Sequence, residues 1–306
     1  MPVHDDLGRR MKKYYEQISK TKLIRRTPVI IRIDGRSFHS FTKNFKRPFD
    51  DVLIKSMQQT MKYLCENIQG CVLGYHQSDE ISLVLVDYQK LTSDAWFDYE
   101  VQKICSITAS MATMAFNKYF LDNVQDFGYD CCYDPDNDNY GDEVVPGRYE
   151  DWSQYERYLD ALDNGAMFDA RCFNIPKEEV TNYFYWRQQD AIRNSIQMVG
   201  QANFSHRELR RKPCIIIQKK LISEKGIDWT DFAIHLQRGS CCVKEKYFVP
   251  CENGNYIKYS ECCSDLYSDN ETIMGVWKTR WVVDKEIPIF KGEDRNYIDK
   301  LIYVGE

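Results

Sequence analysis

The 306-residue chain has no Walker-type phosphate loop, no Gly-x-Gly-x-x-Gly turn and no Cys-x-x-Cys pair. The first two absences exclude the glycine-rich phosphate cradles of P-loop and dinucleotide-binding enzymes. The third removes the most familiar zinc-knuckle and dithiol spacings. No apolar run reaches the length of a membrane-spanning helix. The stretch Met1–Asp6 is polar and partly acidic rather than leader-like, so the chain reads as cytoplasmic and its 12 cysteines as reduced thiols. No internal repeat and no low-complexity linker is found. Positive charge is also lacking: the formal net charge is −5. The whole molecule is therefore no nucleic-acid sponge, and an RNA site must be a local basic patch on an acidic body.

What is present suits a globular protein of one large domain or two modest ones. Hydrophobic residues make up 43%, and aromatics a high 14%, with 21 tyrosines. Helical spacing runs over residues 5–20 (Leu7, Met11, Tyr14, Tyr15, Ile18), with Arg9, Arg10, Lys12 and Lys13 on the other side. A strand follows, Pro28 to Ile33, then a helix opened by Pro48-Phe49-Asp50 and running to about Ile68. Two strand-like runs, Cys71–Tyr75 and Ile81–Val86, precede a long, largely buried helix over about 96–122. A strand near Met167–Phe173 completes a βαββαβ order, so the expected class is α+β. The plan is ferredoxin-like, shared with polymerase palms: an antiparallel sheet with helices on one face and the other face open to substrate. A further helix is expected over about 177–201, hairpin strands over 241–249 and 255–259, and a short helix in the tail. The acidic segment 126–165 interrupts this plan as a loop with a short helix over about 151–162. The expected division is a catalytic domain over 1–264 and a C-terminal extension over 265–306.

Two metal loops suggest themselves and are weak. Asp134 to Gly141 starts like an EF-hand, but its Gly falls two places late and Pro135 is awkward, so a solvated loop is the better reading. A zinc set of Cys241, Cys251, Cys262 and His235 matches no familiar knuckle; buried or idle cysteine is simpler.

The strongest chemistry lies in two carboxylate motifs at strand ends. Asp34-Gly35-Arg36 closes the first strand, and Ser78-Asp79-Glu80 sits between two others. Acids on adjacent strands of one sheet can hold magnesium, which takes one or two carboxylates and completes its shell with water and phosphate. Asp34 offers one carboxylate. The carbonyl of Gly35 can approach closely because the residue has no side chain. Asp79 and Glu80 are neighbours and point to opposite faces of an extended strand, so Asp79 is chosen for the metal, with Glu80 assisting. Either motif alone is more often a common turn. Arg32 and Arg36 bracket Asp34, and Lys43, Lys46 and Arg47 follow within one loop, a charge set that suits a triphosphate. Further on, Arg187, Asp190 and Asn194 share a helical face with Trp186 beneath it; a surface salt-bridge stripe is the plainer alternative. Arg207 and Arg210 suit the tracking of an RNA backbone, with Phe204 to stack on a base; a basic helix end is the simpler alternative.

These blocks together resemble the tRNA-histidine guanylyltransferase superfamily, the 3′-to-5′ nucleotide polymerases. They are Ile31–Phe41, Gly74–Ser82, Phe168–Arg171, Tyr185–Asp190 and Gln237–Ser240, in family order over about residues 5–245. The resemblance implies a palm-like core with two magnesium ions on Asp34, the Gly35 carbonyl and Asp79. It implies phosphate positioning by Arg32, Lys103 and Arg171, and a nucleoside triphosphate near His39, Arg47 and Ser78. Asp190 and Asn194 match positions needed for activity or tRNA handling. The family's His-Ile-Asn-Asn-Leu-Tyr-Asn segment is Ile192–Met198 here and keeps one Asn. The chain thus looks like the guanylyltransferase-like branch, and the expected function is templated repair of tRNA 5′ ends after ATP activation of a 5′-monophosphate. GTP and other nucleoside triphosphates are the expected substrates, tRNA the partner and a tetramer the assembly. The rivals are a dedicated tRNA-histidine guanylyltransferase, a nucleotide cyclase-like signalling enzyme and a non-catalytic RNA-binding protein.

Overall fold

In the computed structural model of the protein, residues 6–132, 149–250, 264–268 and 271–304 are described. The EF-hand-like segment, the strand expected over 255–259, Cys251 and Cys262 lie outside them. In chain order the elements are α1 (Asp6–Tyr14), β1 (Val29–Gly35), α2 (Phe38–Phe41), α3 (Asp51–Asn67), β2 (Cys71–Gln77), β3 (Glu80–Leu85), α4 (Val101–Cys132), α5 (Tyr149–Asn164), β4 (Phe168–Asn174), α6 (Lys177–Asn203), α7 (His206–Leu209), α8 (Cys214–Lys225), α9 (Ile234–Arg238), β5 (Ser240–Pro250), β6 (Ser264–Ser268), β7 (Glu271–Asp284) and α10 (Asn296–Ile302).

The strands form one seven-stranded antiparallel sheet in the order β4-β1-β3-β2-β5-β7-β6. Its first four strands are the expected ferredoxin-like set, interleaved 4-1-3-2. Period-two alternation sorts the side chains of β1. Val29, Ile31 and Ile33 join Ile81, Leu83 and Leu85 of β3 in a core under α3 and α4 that includes Met57, Met61, Phe116 and Phe120. Ile30 and Val84 face the other way, with Leu73 and Tyr75 of β2, against Val180 and Phe184 of α6 and Ile298 and Ile302 of α10. The second face is therefore not left open to substrate. Helix α6 and the tail cover its apolar rows, because Ile30, Leu73 and Val84 are as oily as the residues behind them and burial of such surface is favourable.

Other expectations change in detail. The N-terminal helix stops at Tyr14 and a short 3-10 turn, Glu16–Ser19, follows, with no buried residue in either. The interrupting segment extends α4 to Cys132 and supplies α5, whose Tyr158 packs on Phe45 and Phe120 and donates to Asp50 at 2.6 Å. The residues after 264 pack on the rest of the sheet: β7 pairs with β5 from Cys241↔Asp284 to Pro250↔Gly275, and Ile287, Phe290, Ile298 and Ile302 sit in the second core. Cys241 is buried in that core, and no cluster of three or more His, Cys, Asp or Glu suited to a metal occurs among the described residues.

Candidate active site

Register brings the first motif to the second. Asp34 of β1 lies opposite Glu80 of β3, and the pairing Gln77↔Glu80 leaves Ser78-Asp79 as a two-residue hairpin tip. Ser78 holds a left-handed backbone, φ 52°, a strain of roughly 1–3 kcal/mol for a residue with a side chain. Three contacts hold the tip. The Gly35 amide donates to the Asp79 carbonyl at 3.1 Å. His76, buried, bonds from Nε2 to the Ser78 carbonyl at 2.9 Å. Gly239, at φ 86°, lets α9 approach β2 so closely that a Cβ would lie 2.5 Å from the His76 carbonyl. Gly35 has the same need: a Cβ there would meet the Phe38 ring at 2.3 Å.

The tip puts Asp79 beside Asp34. Burial, with the neighbouring Asp34 charge adding to it, pushes the Asp79 carboxyl above its ordinary value. Two partly buried carboxylates that repel are a site for a hard cation. The donor set fits magnesium: oxygens only, two carboxylates and a glycine backbone, with the remaining positions open to phosphate and water.

Glu80 does a different job. It is buried, and Arg187 of α6 grips it through Nε at 2.7 Å and Nη2 at 2.9 Å, while Arg32 reaches it at 2.7 Å. Burial pushes the Glu80 carboxyl up, and the two guanidiniums pull it back. Arg187 also bonds Asp190 at 2.8 Å, and Asp190 pairs with Arg193. The stripe on α6 is thus no solvated salt-bridge face; Arg187 is buried and clamps the helix to the sheet. Trp186 does not lie beneath it but is 54% exposed, stacked 4.4 Å from the Arg187 guanidinium.

On the other side of Asp34, Arg171 stands 3.9 Å away and pairs with Asp169 at 3.0 Å. Asp169, present in the Phe168–Arg171 block without an assigned role, shares a face with Arg171 by alternation along β4 and lies opposite Asp34 by register. The Nε of Arg32 is buried without a partner.

Next to Asp79 opens a pocket of about 420 Å³. It brings together His39, Lys43, Lys46, Arg47, Ser78 and Asp79, with Met198 and Gln201 of α6 closing it. A smaller recess behind it shares Ser78 and Met198 and is lined by Asn194, His76 and His235. Asp50 organises this wall: its carboxylate caps α3 through the Leu53 amide at 2.9 Å and accepts from the Lys46 amide at 3.0 Å. Other expected residues lie outside the pocket. Arg36 lines a separate cleft with Arg157 of α5. Lys103 is exposed on the first turn of α4, its ammonium 5.0 Å from the Phe97 ring centre. Arg207 and Arg210 are exposed around α7. Phe204 is no stacking platform: it is buried with Ile196, Val199, Ile217, Leu221 and Trp229, and Lys220 sits 3.6 Å over its ring.

Fold and site together define a palm-type α+β protein with a carboxylate pair beside a basic pocket. Comparison with known proteins makes this specific. The family described as Thg1, tRNAHis guanylyltransferase, matches residues 8–176, and the chain belongs to that family. It is similar to a bacterial tRNA(His) guanylyltransferase (Thg1)-like protein solved in complex with ATP: 37% identity, 98% of this chain and 100% of that one, TM-score 0.70. The GTP complex of a bacterial Thg1-like protein gives 36% identity, the same coverage and TM-score 0.67. A probable tRNA(His) guanylyltransferase of Mus musculus is 28% identical over 171 residues, 55% of this chain and 45% of the mouse protein. The chain thus spans under half of that curated relative. No helix among the described residues is long and apolar enough to cross a membrane.

Proposed function

We propose that the protein is a magnesium-dependent, template-directed 3′-to-5′ nucleotidyltransferase that adds nucleotides to the 5′ end of tRNA. The observation that carries this reading is the convergence of Asp34 and Asp79 beside the pocket of His39, Lys46, Arg47 and Ser78. It is supported by similarity over nearly the whole chain to bacterial Thg1-like proteins solved with ATP and with GTP. Asp34, Asp79 and the Gly35 carbonyl are the groups that would hold the metal. Magnesium bound there lowers the pKa of the attacking hydroxyl and offsets phosphate charge.

The chain's own residues do the positioning. Lys43, Lys46 and Arg47 hold the triphosphate of the incoming nucleotide, with Ser78 and His39 at its edge. Arg32 and Arg171, cross-strand neighbours that each approach the same Asp34 oxygen at 3.9 Å, receive the activated 5′ end. The 3′ oxygen of the incoming nucleotide bonds to the 5′ phosphorus as the activating group leaves: AMP after ATP activation of a monophosphate, or pyrophosphate from a triphosphate end. Glu80 contacts neither partner; it holds Arg32 and Arg187 in place. Arg207 and Arg210 follow the RNA backbone, Asp190 and Asn194 support the site from α6, and the working assembly is a cytoplasmic homotetramer. Lys103 and Arg36 lie outside the pocket, and their part in this reading is contact with the tRNA.

The family description favours a second reading, dedicated addition of G to tRNA-histidine. One assay decides: nucleotide addition to tRNA transcripts lacking their first 5′ nucleotide, with Mg²⁺ and each nucleoside triphosphate separately. Addition that follows the opposing acceptor-strand base supports templated repair. Addition of G alone, to tRNA-histidine alone, establishes the second reading. A tRNA-independent cyclic product, or no turnover, removes both.

A further inference from the structure

Outside the carboxylate site, two thiols from distant parts of the chain meet at the edge of the sheet. Cys105, in the second turn of α4, lies with its sulfur 3.6 Å from that of Cys172 on β4. Both are half-buried and free of any disulfide, and the Cys172 thiol donates to the Val101 carbonyl at 3.9 Å. The other cysteines whose side chains are described differ. Cys65, Cys71, Cys241 and Cys242 are buried in the cores, and the Cys214 thiol rests against the Arg193 carbonyl. A disulfide needs its sulfurs about 2.0 Å apart, so one or both side chains must turn for the bond to form.

We infer that Cys105 and Cys172 form a peroxide-sensitive dithiol, a covalent modification site that joins α4 to the edge strand. The chemistry balances with a hydroperoxide as oxidant. The Cys105 sulfur attacks the peroxide oxygen, giving a sulfenic acid and, from hydrogen peroxide, water. The Cys172 sulfur then attacks the Cys105 sulfur, its proton leaves with the hydroxyl as a second water, and the S–S bond forms. Two thiols are oxidised by two electrons and one peroxide is reduced. The order of events follows from position. Burial, together with the neighbouring Cys105, pushes the Cys172 thiol up to about 12, which disfavours it as the first nucleophile and slows its attack on the sulfenic acid.

The bond would close a loop through α4, α5 and β4 and fix Cys172 next to Arg171. Its test needs no substrate. The full-length protein is treated with hydrogen peroxide, the remaining thiols are blocked, and the digest is read by mass spectrometry without reduction. The expected result is a peptide pair linked through Cys105 and Cys172, lighter by two hydrogens, that dithiothreitol reverses. In Cys172→Ser, Cys105 should instead advance to sulfinic acid; in Cys105→Ser, Cys172 should stay alkylatable once the protein is unfolded. Oxidation that leaves both thiols free, or that first pairs either with another cysteine, overturns the assignment. A higher melting temperature of the oxidised wild type, absent in both variants, is the expected companion result, and the linked peptide pair decides.

Discussion

One face of one sheet carries two regions that differ in a single respect. In the rows of Ile30, Val84 and Phe173, the face meets Val180 and Phe184 of α6 and is sealed by burial alone. Two and four residues along β1, the rows become Arg32–Ser82–Arg171 and Asp34–Glu80–Asp169, and the same helix answers with Arg187 and Asp190. The apolar rows tolerate no water and do no chemistry. The charged rows are anchored by Glu80 between two guanidiniums, which leaves Asp34 and Asp79 at the sheet's end for a cation. The comparison teaches that a helix can seal a sheet and still build a site on it, provided its inward side chains change character when the strand residues do.

The sharpest way to break this division is Asp34→Ala. Transfer to tRNA should fall about a thousandfold, as for other removals of a group that stabilises transferring charge. Circular dichroism and melting temperature should stay near wild type, since the side chain is partly exposed. Next in size is Glu80→Gln. It leaves buried Arg187 with Asp190 alone and should cost about 3 kcal/mol in urea unfolding, the low end for breaking a buried pair. A stability change under 1 kcal/mol would make Glu80 a reactive group rather than an anchor.

A pH series reaches the hairpin tip through His76. Burial lowers its folded pKa from 6.5 to about 4. The unfolded chain therefore binds the proton first as pH falls from 6.5 to 4. Stability contributed by neutral His76 is complete above 6.5 and lost through that window, by roughly 3 kcal/mol in all. His76→Gln should flatten this part of the urea-derived profile. The smallest effect is expected on the basic edge. Arg210→Ala should weaken tRNA binding only a few-fold and lower the salt slope by about one, while Asp34→Ala leaves that slope unchanged.

Much of this was legible in the sequence for physical reasons. Strand ends are marked by where alternation stops, so Asp34 and Asp79 could be placed at one end of a sheet before their register was known. Loop residues 39–47 follow Asp34 closely enough that their charges had to lie near it. The covered second face was not legible, because α6 buries Arg187 and Gln188 as well as Val180 and Phe184. A helix with polar residues on its inner side reads as half solvated. Phe204 misled for a related reason: its neighbours in sequence are basic, and its partners Ile217, Leu221 and Trp229 come later in the chain. Glu80 reads in the sequence as an assistant to Asp79, because its partner Arg187 lies far along the chain.

The central claim is that transfer depends on Asp79 and fold integrity on its neighbour Glu80. Single-turnover nucleotide addition by Asp79→Asn and Glu80→Gln, at saturating Mg²⁺ and equal folded concentration, tests it most directly. The account predicts a loss of at least about a hundredfold for Asp79→Asn with unfolding free energy kept, and a Glu80→Gln protein that is less stable yet retains the larger share of its rate while folded. Near-wild-type transfer by Asp79→Asn would contradict it.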